Sequence, residues 1–122
     1  MTRIIIVTGG RTYADADKVN QVLTAHMPIH ELWHGGCTGA DMLARAFAMS
    51  HRGMHELTFV AQWDKYGKSA GPVRNNRMMQ AGKAAVAEGH SVTVVAFPGG
   101  AGTAHAVKCA RSAGLVVVEV DP

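Results

Sequence analysis

Five short runs rich in Val, Ile, Leu and Phe alternate with stretches of helical periodicity, and this alternation constrains the fold more than any other feature. The runs are Arg3–Thr8, Glu31–His34, Glu56–Val60, Ser91–Phe97 and Leu115–Val120. Most are continuous in apolar residues rather than alternating with polar ones, the pattern of parallel strands covered on both faces. Val19, Val22, Leu23 and His26 recur at helical spacing and predict a helix over Asp15–Ala25. Met42, Leu43, Ala46, Phe47 and Ser50 predict a second, with Thr38 as its N-cap. Pro72 suits the first turn of a third helix that runs to Ala87. The last helix is expected to start near Gly102-Thr103 and to stop by Gly114. Repeated βα units with right-handed crossovers predict an α/β fold: a three-layer, five-stranded, mostly parallel sheet in the order 3-2-1-4-5. The 122 residues suit one such domain, spanning 1–122.

The glycines mark where this sheet would work. Thr8-Gly9-Gly10, His34-Gly35-Gly36 and Pro98-Gly99-Gly100 each follow a predicted strand and precede a helical stretch. In a parallel sheet all three turns emerge at the carboxyl edge, where open α/β folds bind ligands. A missing Cβ lets a ligand approach backbone amides, and the helix behind adds unpaired N–H groups that favour phosphate. Pro98-Gly99-Gly100-Ala101-Gly102-Thr103 combines these features with a hydroxyl. It is neither a P-loop, which needs a closing Gly-Lys-Ser/Thr, nor the dinucleotide Gly-x-Gly-x-x-Gly. Each pair alone also fits simple turn chemistry.

Charge and composition narrow the function classes. The net charge of +3 is too mild to imply nucleic-acid binding by itself. Between Asp64 and Ala87, however, Lys65, Lys68, Arg74, Arg77 and Lys83 face the single acid Asp64. That segment is either a solvated helix face or a cationic wall for an anionic ligand. Ala61–Gly71 lacks a clear period and is the longest irregular connection. Apolar runs are too short for a membrane span or a signal peptide, so a cytoplasmic location is expected. Two cysteines, Cys37 and Cys109, suggest reduced thiols. His26, His30 and His34 are spaced by four, but Pro28 breaks the face they would share, so no metal and no cofactor is expected.

Four ordered motifs carry a family resemblance: Gly9-Gly10-Arg11-Thr12-Tyr13, His34-Gly35-Gly36-Cys37-Thr38-Gly39-Ala40-Asp41, Trp63 through Gly71-Pro72-Val73-Arg74-Asn75-Asn76-Arg77-Met78, and Phe97–Thr103. Together they resemble the SLOG superfamily, a Rossmann-like group that includes lonely-guy phosphoribohydrolases and the DNA-processing protein DprA, and most of all its small YspA-like bacterial and phage branch. The resemblance implies a nucleotide-type ligand bound by Gly9, Gly10, Arg11, Tyr13, His34, Gly35, Gly36, Gly39, Asp41, Trp63, Arg74, Asn75, Pro98, Gly99, Gly100, Gly102 and Thr103.

Lonely-guy enzymes cleave an N-glycosidic bond and carry Pro-Gly-Gly-x-Gly-Thr-x-x-Glu. Here Ala106 stands at the glutamate position, and alanine cannot supply the carboxyl group such cleavage needs. A carboxylate placed at 106 would be expected to sit tolerably in the first turns of the last helix. Asp41 is the candidate substitute carboxyl group, and it also fits a structural role near a helix N-terminus. Arg74, in a segment that resembles the catalytic arginine segment of those enzymes, is the second catalytic candidate. Arg74 suits a phosphate clamp, and Arg77, about one turn on, could face the same way. His105 is expected to point elsewhere. Trp63 and Tyr66 suit either base stacking or a hydrophobic lid. The readings, in order, are a nucleotide or ADP-ribose-like binding module or sensor, an N-glycosidic hydrolase acting on nucleoside monophosphates or NAD-like nucleotides, and DprA-like DNA binding, which the lack of a long Lys/Arg stripe disfavours. Met78 and Met79 offer a homodimer surface or core packing.

Overall fold

A computed structural model describes all residues 1–122. The elements run β1 (Arg3–Thr8), α1 (Ala16–Ala25), β2 (Glu31–His34), α2 (Ala40–Met49), β3 (His55–Thr58), α3 (Trp63–Tyr66), α4 (Ala70–Ala87), β4 (Ser91–Ala96), α5 (Ala101–Ser112) and β5 (Val116–Glu119). The five strands form one parallel sheet in the order β3-β2-β1-β4-β5. β1 pairs with β4 from Arg3–Ser91 to Thr8–Ala96, so the two central strands end level at the carboxyl edge.

The unbroken apolar run of β1 has a direct physical reason. Successive side chains point to opposite faces of a strand. Ile4 and Ile6 enter a core formed with Met78, Met79, Val94, Ala106 and Ala110 under α4 and α5. Ile5 and Val7 enter a second core with Val19, Leu23, Ala44, Phe47 and Phe97 under α1 and α2. All four β1 side chains are buried, each worth about 1.5–3 kcal/mol of transfer free energy. Met78 and Met79 belong to the first core, so they supply no dimer surface.

The edges depart from the sequence expectation. β3 and β5 are sheet edges, are not covered on both faces, and expose Leu57 and Val116. β3 spans His55–Thr58 rather than Glu56–Val60, because it follows the four-residue register of β2. α4 begins at Ala70, with Pro72 in its first turn, and the stretch expected to be irregular contains α3 and a 3₁₀ turn at Gly67–Ser69. Asp15 caps α1 by accepting from the Lys18 N–H at 3.0 Å. Gly39, not Thr38, occupies the N-cap of α2; the Thr38 hydroxyl donates instead to the Arg11 carbonyl at 3.1 Å. No helix is long and apolar enough to cross a membrane.

Candidate functional site

The three glycine turns converge at the carboxyl edge and are bonded to one another. The Gly10 N–H donates to the Pro98 carbonyl at 2.9 Å, and the Gly10 carbonyl accepts from the Ala40 N–H at 3.2 Å. Thus Gly10 ties the β1–α1 turn to both the β4–α5 turn and the start of α2. Gly39 makes this possible: its φ is +81°, and a Cβ there would run into the Gly10 and Arg11 carbonyls.

Between the turns lies a cavity of about 570 Å³, within the range of small-ligand sites. Of the residues named from the sequence, Gly9, Gly10, Arg11, Gly35, Asp41, Trp63, Arg74, Asn75, Gly100, Gly102 and Thr103 line it. Tyr13, Pro98 and Gly99 line an adjacent, shallower groove that shares Gly10, Arg11 and Gly100; the Tyr13 ring packs on Phe97 with centroids 5.5 Å apart. His34, Gly36 and Gly39 stand outside the lining and shape the β2–α2 turn from behind. His34 is wholly buried, accepts the Gly36 N–H on Nδ1 at 3.0 Å, and meets Glu56 through Nε2 at 2.5 Å. The Thr58 hydroxyl, foremost, and His34 hold the Glu56 carboxyl below its ordinary range.

Two buried ionisable groups face each other across the α2 side of the cavity. Asp41 is buried, and its Oδ2 accepts from the Gly35 N–H at 3.0 Å and the Cys37 N–H at 3.2 Å. Its Oδ1 has no protein partner. Burial pushes the Asp41 carboxyl above its ordinary range, against the opposing pull of those N–H groups, His34 and Arg74. Asp41 is the one carboxyl on the cavity wall.

Arg74 is only 7% exposed. Its Nε–H donates to Asn75 Oδ1 at 2.8 Å, its Nη1 donates to the Gly35 carbonyl, and its Nη2 reaches Cys37 Sγ at 3.6 Å. The guanidinium is therefore a strut under the β2–α2 turn, with one N–H on each Nη still unused. Arg77 does not join it: Nη2 donates to the Val60 carbonyl at 3.0 Å, the group lies over the Phe59 ring, and the cationic wall is not formed. Arg11, exposed at the mouth, is the other cation of the lining. The first turn of α5 has no side-chain cap, so its leading N–H groups are left for a ligand or water.

Three further features escaped the sequence reading. Cys37 and Met78 line the cavity, and so does His105, whose Nδ1 lies 3.2 Å from Asn75 Nδ2. A helical wheel without a partner helix cannot say which α5 face meets α4; the Asn75 contact decides it. Ala106 is fully buried in the α4–α5 core, so a glutamate there would enter apolar packing rather than a tolerant helix end.

The family model described as YAcAr, the YspA, cpYpsA-related SLOG family, matches residues 3–66. Over 95% of its length, and 94% of the relative's, the chain is 32% identical to the Gene 61 protein of Mycobacterium phage D29. The chain belongs to this SLOG family. The matched span carries the Gly9–Tyr13 and His34–Asp41 turns and ends in α3. The rest of this SLOG protein's cavity, from α4 and the β4–α5 turn, lies beyond that span.

Proposed function

We propose that this SLOG protein binds a phosphorylated nucleotide or ADP-ribose-like ligand at the carboxyl edge of its sheet, as a sensor or binding module. The uncapped first turn of α5, opening on a cavity that also holds Arg11 and Trp63, carries the reading. Unpaired N–H groups and the positive end of the helix dipole favour a phosphoryl group. Arg11 adds an exposed cation at the mouth, and Trp63, half exposed, offers a face for a base.

Gly102→Asp tests this without disturbing packing, because a Cβ at Gly102 meets nothing within 4 Å. The new carboxylate would occupy the first-turn N–H groups and repel a phosphate. Calorimetric titration with adenosine 5′-monophosphate should show binding by the wild type and none by the variant, with the fold retained by circular dichroism. Equal affinity for both proteins would contradict the phosphate cradle.

A second reading, N-glycosidic hydrolysis, is favoured by the burial-raised Asp41 carboxyl and its open Oδ1. Release of free base from the monophosphate that disappears in Asp41→Asn, with binding intact, would establish it over the sensor reading.

A further inference from the structure

Arg74, Asn75 and His105 form a relay whose directions follow from donor chemistry. The Arg74 Nε–H can only donate, so the Asn75 atom it meets at 2.8 Å must be the amide oxygen. The Asn75 NH₂ is thereby turned toward α5, where it reaches the Gly102 carbonyl at 3.4 Å and His105 Nδ1 at 3.2 Å. An NH₂ group can only donate, so Nδ1 must accept. A neutral ring that accepts on Nδ1 carries its proton on Nε2.

That Nε2–H has no oxygen or nitrogen partner in the protein. Cys109 Sγ lies 3.6 Å from Nε2 and 3.8 Å from Nδ1. Near-equal distances to both nitrogens put the sulfur well off the Nε2–H axis. His105 is half-buried, lines the cavity, and stands one turn after the uncapped start of α5. Helical side chains lean toward the N-terminus of their helix, which brings the ring over the turn holding Ala101 and Gly102.

We propose that His105 is a ligand-contacting residue, held as the Nε2–H tautomer by Arg74 through Asn75, and that it donates this proton to an oxygen of the phosphorylated ligand. The ligand contact rests on the nucleotide-binding reading above; the locked tautomer does not. Asn75 is then a positioning residue. The relay gives the cavity a directed neutral donor one helical turn into α5.

Two measurements separate the parts. Long-range ¹H–¹⁵N correlation spectra of the wild type at about pH 8, where an ordinary imidazole is neutral, should show His105 with a protonated Nε2 and a bare Nδ1. Spectra showing the Nδ1–H tautomer, or an even mixture, would overturn the relay. Asn75→Asp should swap the tautomer, because a carboxylate accepts where the amide donated; an unchanged pattern in the folded variant would also overturn it. For the contact, His105→Ala should weaken adenosine 5′-monophosphate binding on the order of ten- to a hundredfold, and His105→Gln, which keeps a donor at that reach, should recover most of it. Equal binding by wild type and His105→Ala refutes the contact alone. No monophosphate binding by the wild type refutes the underlying nucleotide reading and the contact with it, whatever the tautomer.

Discussion

Replacing Arg74 with methionine keeps a long apolar stem and removes the guanidinium, and the structure sets the size of the loss. Two bonds disappear that join a charged donor to a buried acceptor, one to the Gly35 carbonyl and one to Asn75 Oδ1. Each such bond contributes about 1.5–3 kcal/mol, so the gross loss is about 3–6 kcal/mol. The sulfur contact to Cys37 adds little. Relief from burying a cation returns part of this, leaving a net destabilisation of about 2–4 kcal/mol. Unfolding entropy of about 2.1 cal/mol/K per residue gives roughly 250 cal/mol/K for this chain, so a loss of about 3 kcal/mol lowers Tm by about 12 °C. Arg74→Lys should lose more than half as much, because one ammonium cannot span the two acceptors as a fork does. Arg11→Ala should leave Tm unchanged and weaken binding of adenosine 5′-monophosphate. Thermal melts followed by circular dichroism, paired with titrations, check all three. An Arg74→Met protein that melts within about 2 °C of wild type yet loses the ligand would refute the strut and make Arg74 a clamp.

Asp41→Asn keeps an acceptor for the Gly35 and Cys37 N–H groups while removing a buried charge. Because burial raises the folded-state carboxyl above its unfolded value, the folded protein holds the proton more tightly, and wild-type stability falls as pH rises through the folded value. The variant should therefore be the more stable protein at neutral pH, with the gap closing as pH falls toward the ordinary carboxylate range; urea midpoints across that range would show a constant gap if the reasoning fails. Gly39→Ala should cost more than about 2 kcal/mol, since it combines left-handed backbone with a collision against the Gly10 and Arg11 carbonyls. Gly53→Ala shares the positive φ but meets open space and should cost about 1 kcal/mol; equal losses in the two melts would remove the collision from the account.

The strand order and the convergence of the glycine turns were legible because they follow from local signals. Continuous apolar runs mark central strands, and glycine pairs at strand ends mark one edge. What could not be read required knowing which faces meet. Arg74 is a strong candidate for a phosphate clamp on chemistry alone, yet the Gly35 carbonyl, Asn75 and Cys37 engage three of its five N–H donors. His105 was set aside on spacing, whereas the packing of α5 on α4 turns it into the cavity beside Asn75. Arg77, one turn from Arg74, is drawn off by Phe59 and Val60, residues after β3 that no helical wheel includes. The edge strands were over-extended because an apolar run does not reveal where its neighbour's register ends.

The central claim is that the cavity recognises a phosphoryl group attached to a nucleoside, and a matched pair of ligands tests it most directly. Melting curves of the wild type with adenosine 5′-monophosphate and with adenosine, at equal concentrations, separate the phosphate from the rest of the molecule. Selective binding to the folded state at about a hundred times Kd adds about 2.7 kcal/mol, a rise of roughly 10 °C for a chain of this size. The account predicts a rise of that order with the monophosphate and little change with adenosine. Equal shifts from both, or a shift from adenosine alone, would contradict it.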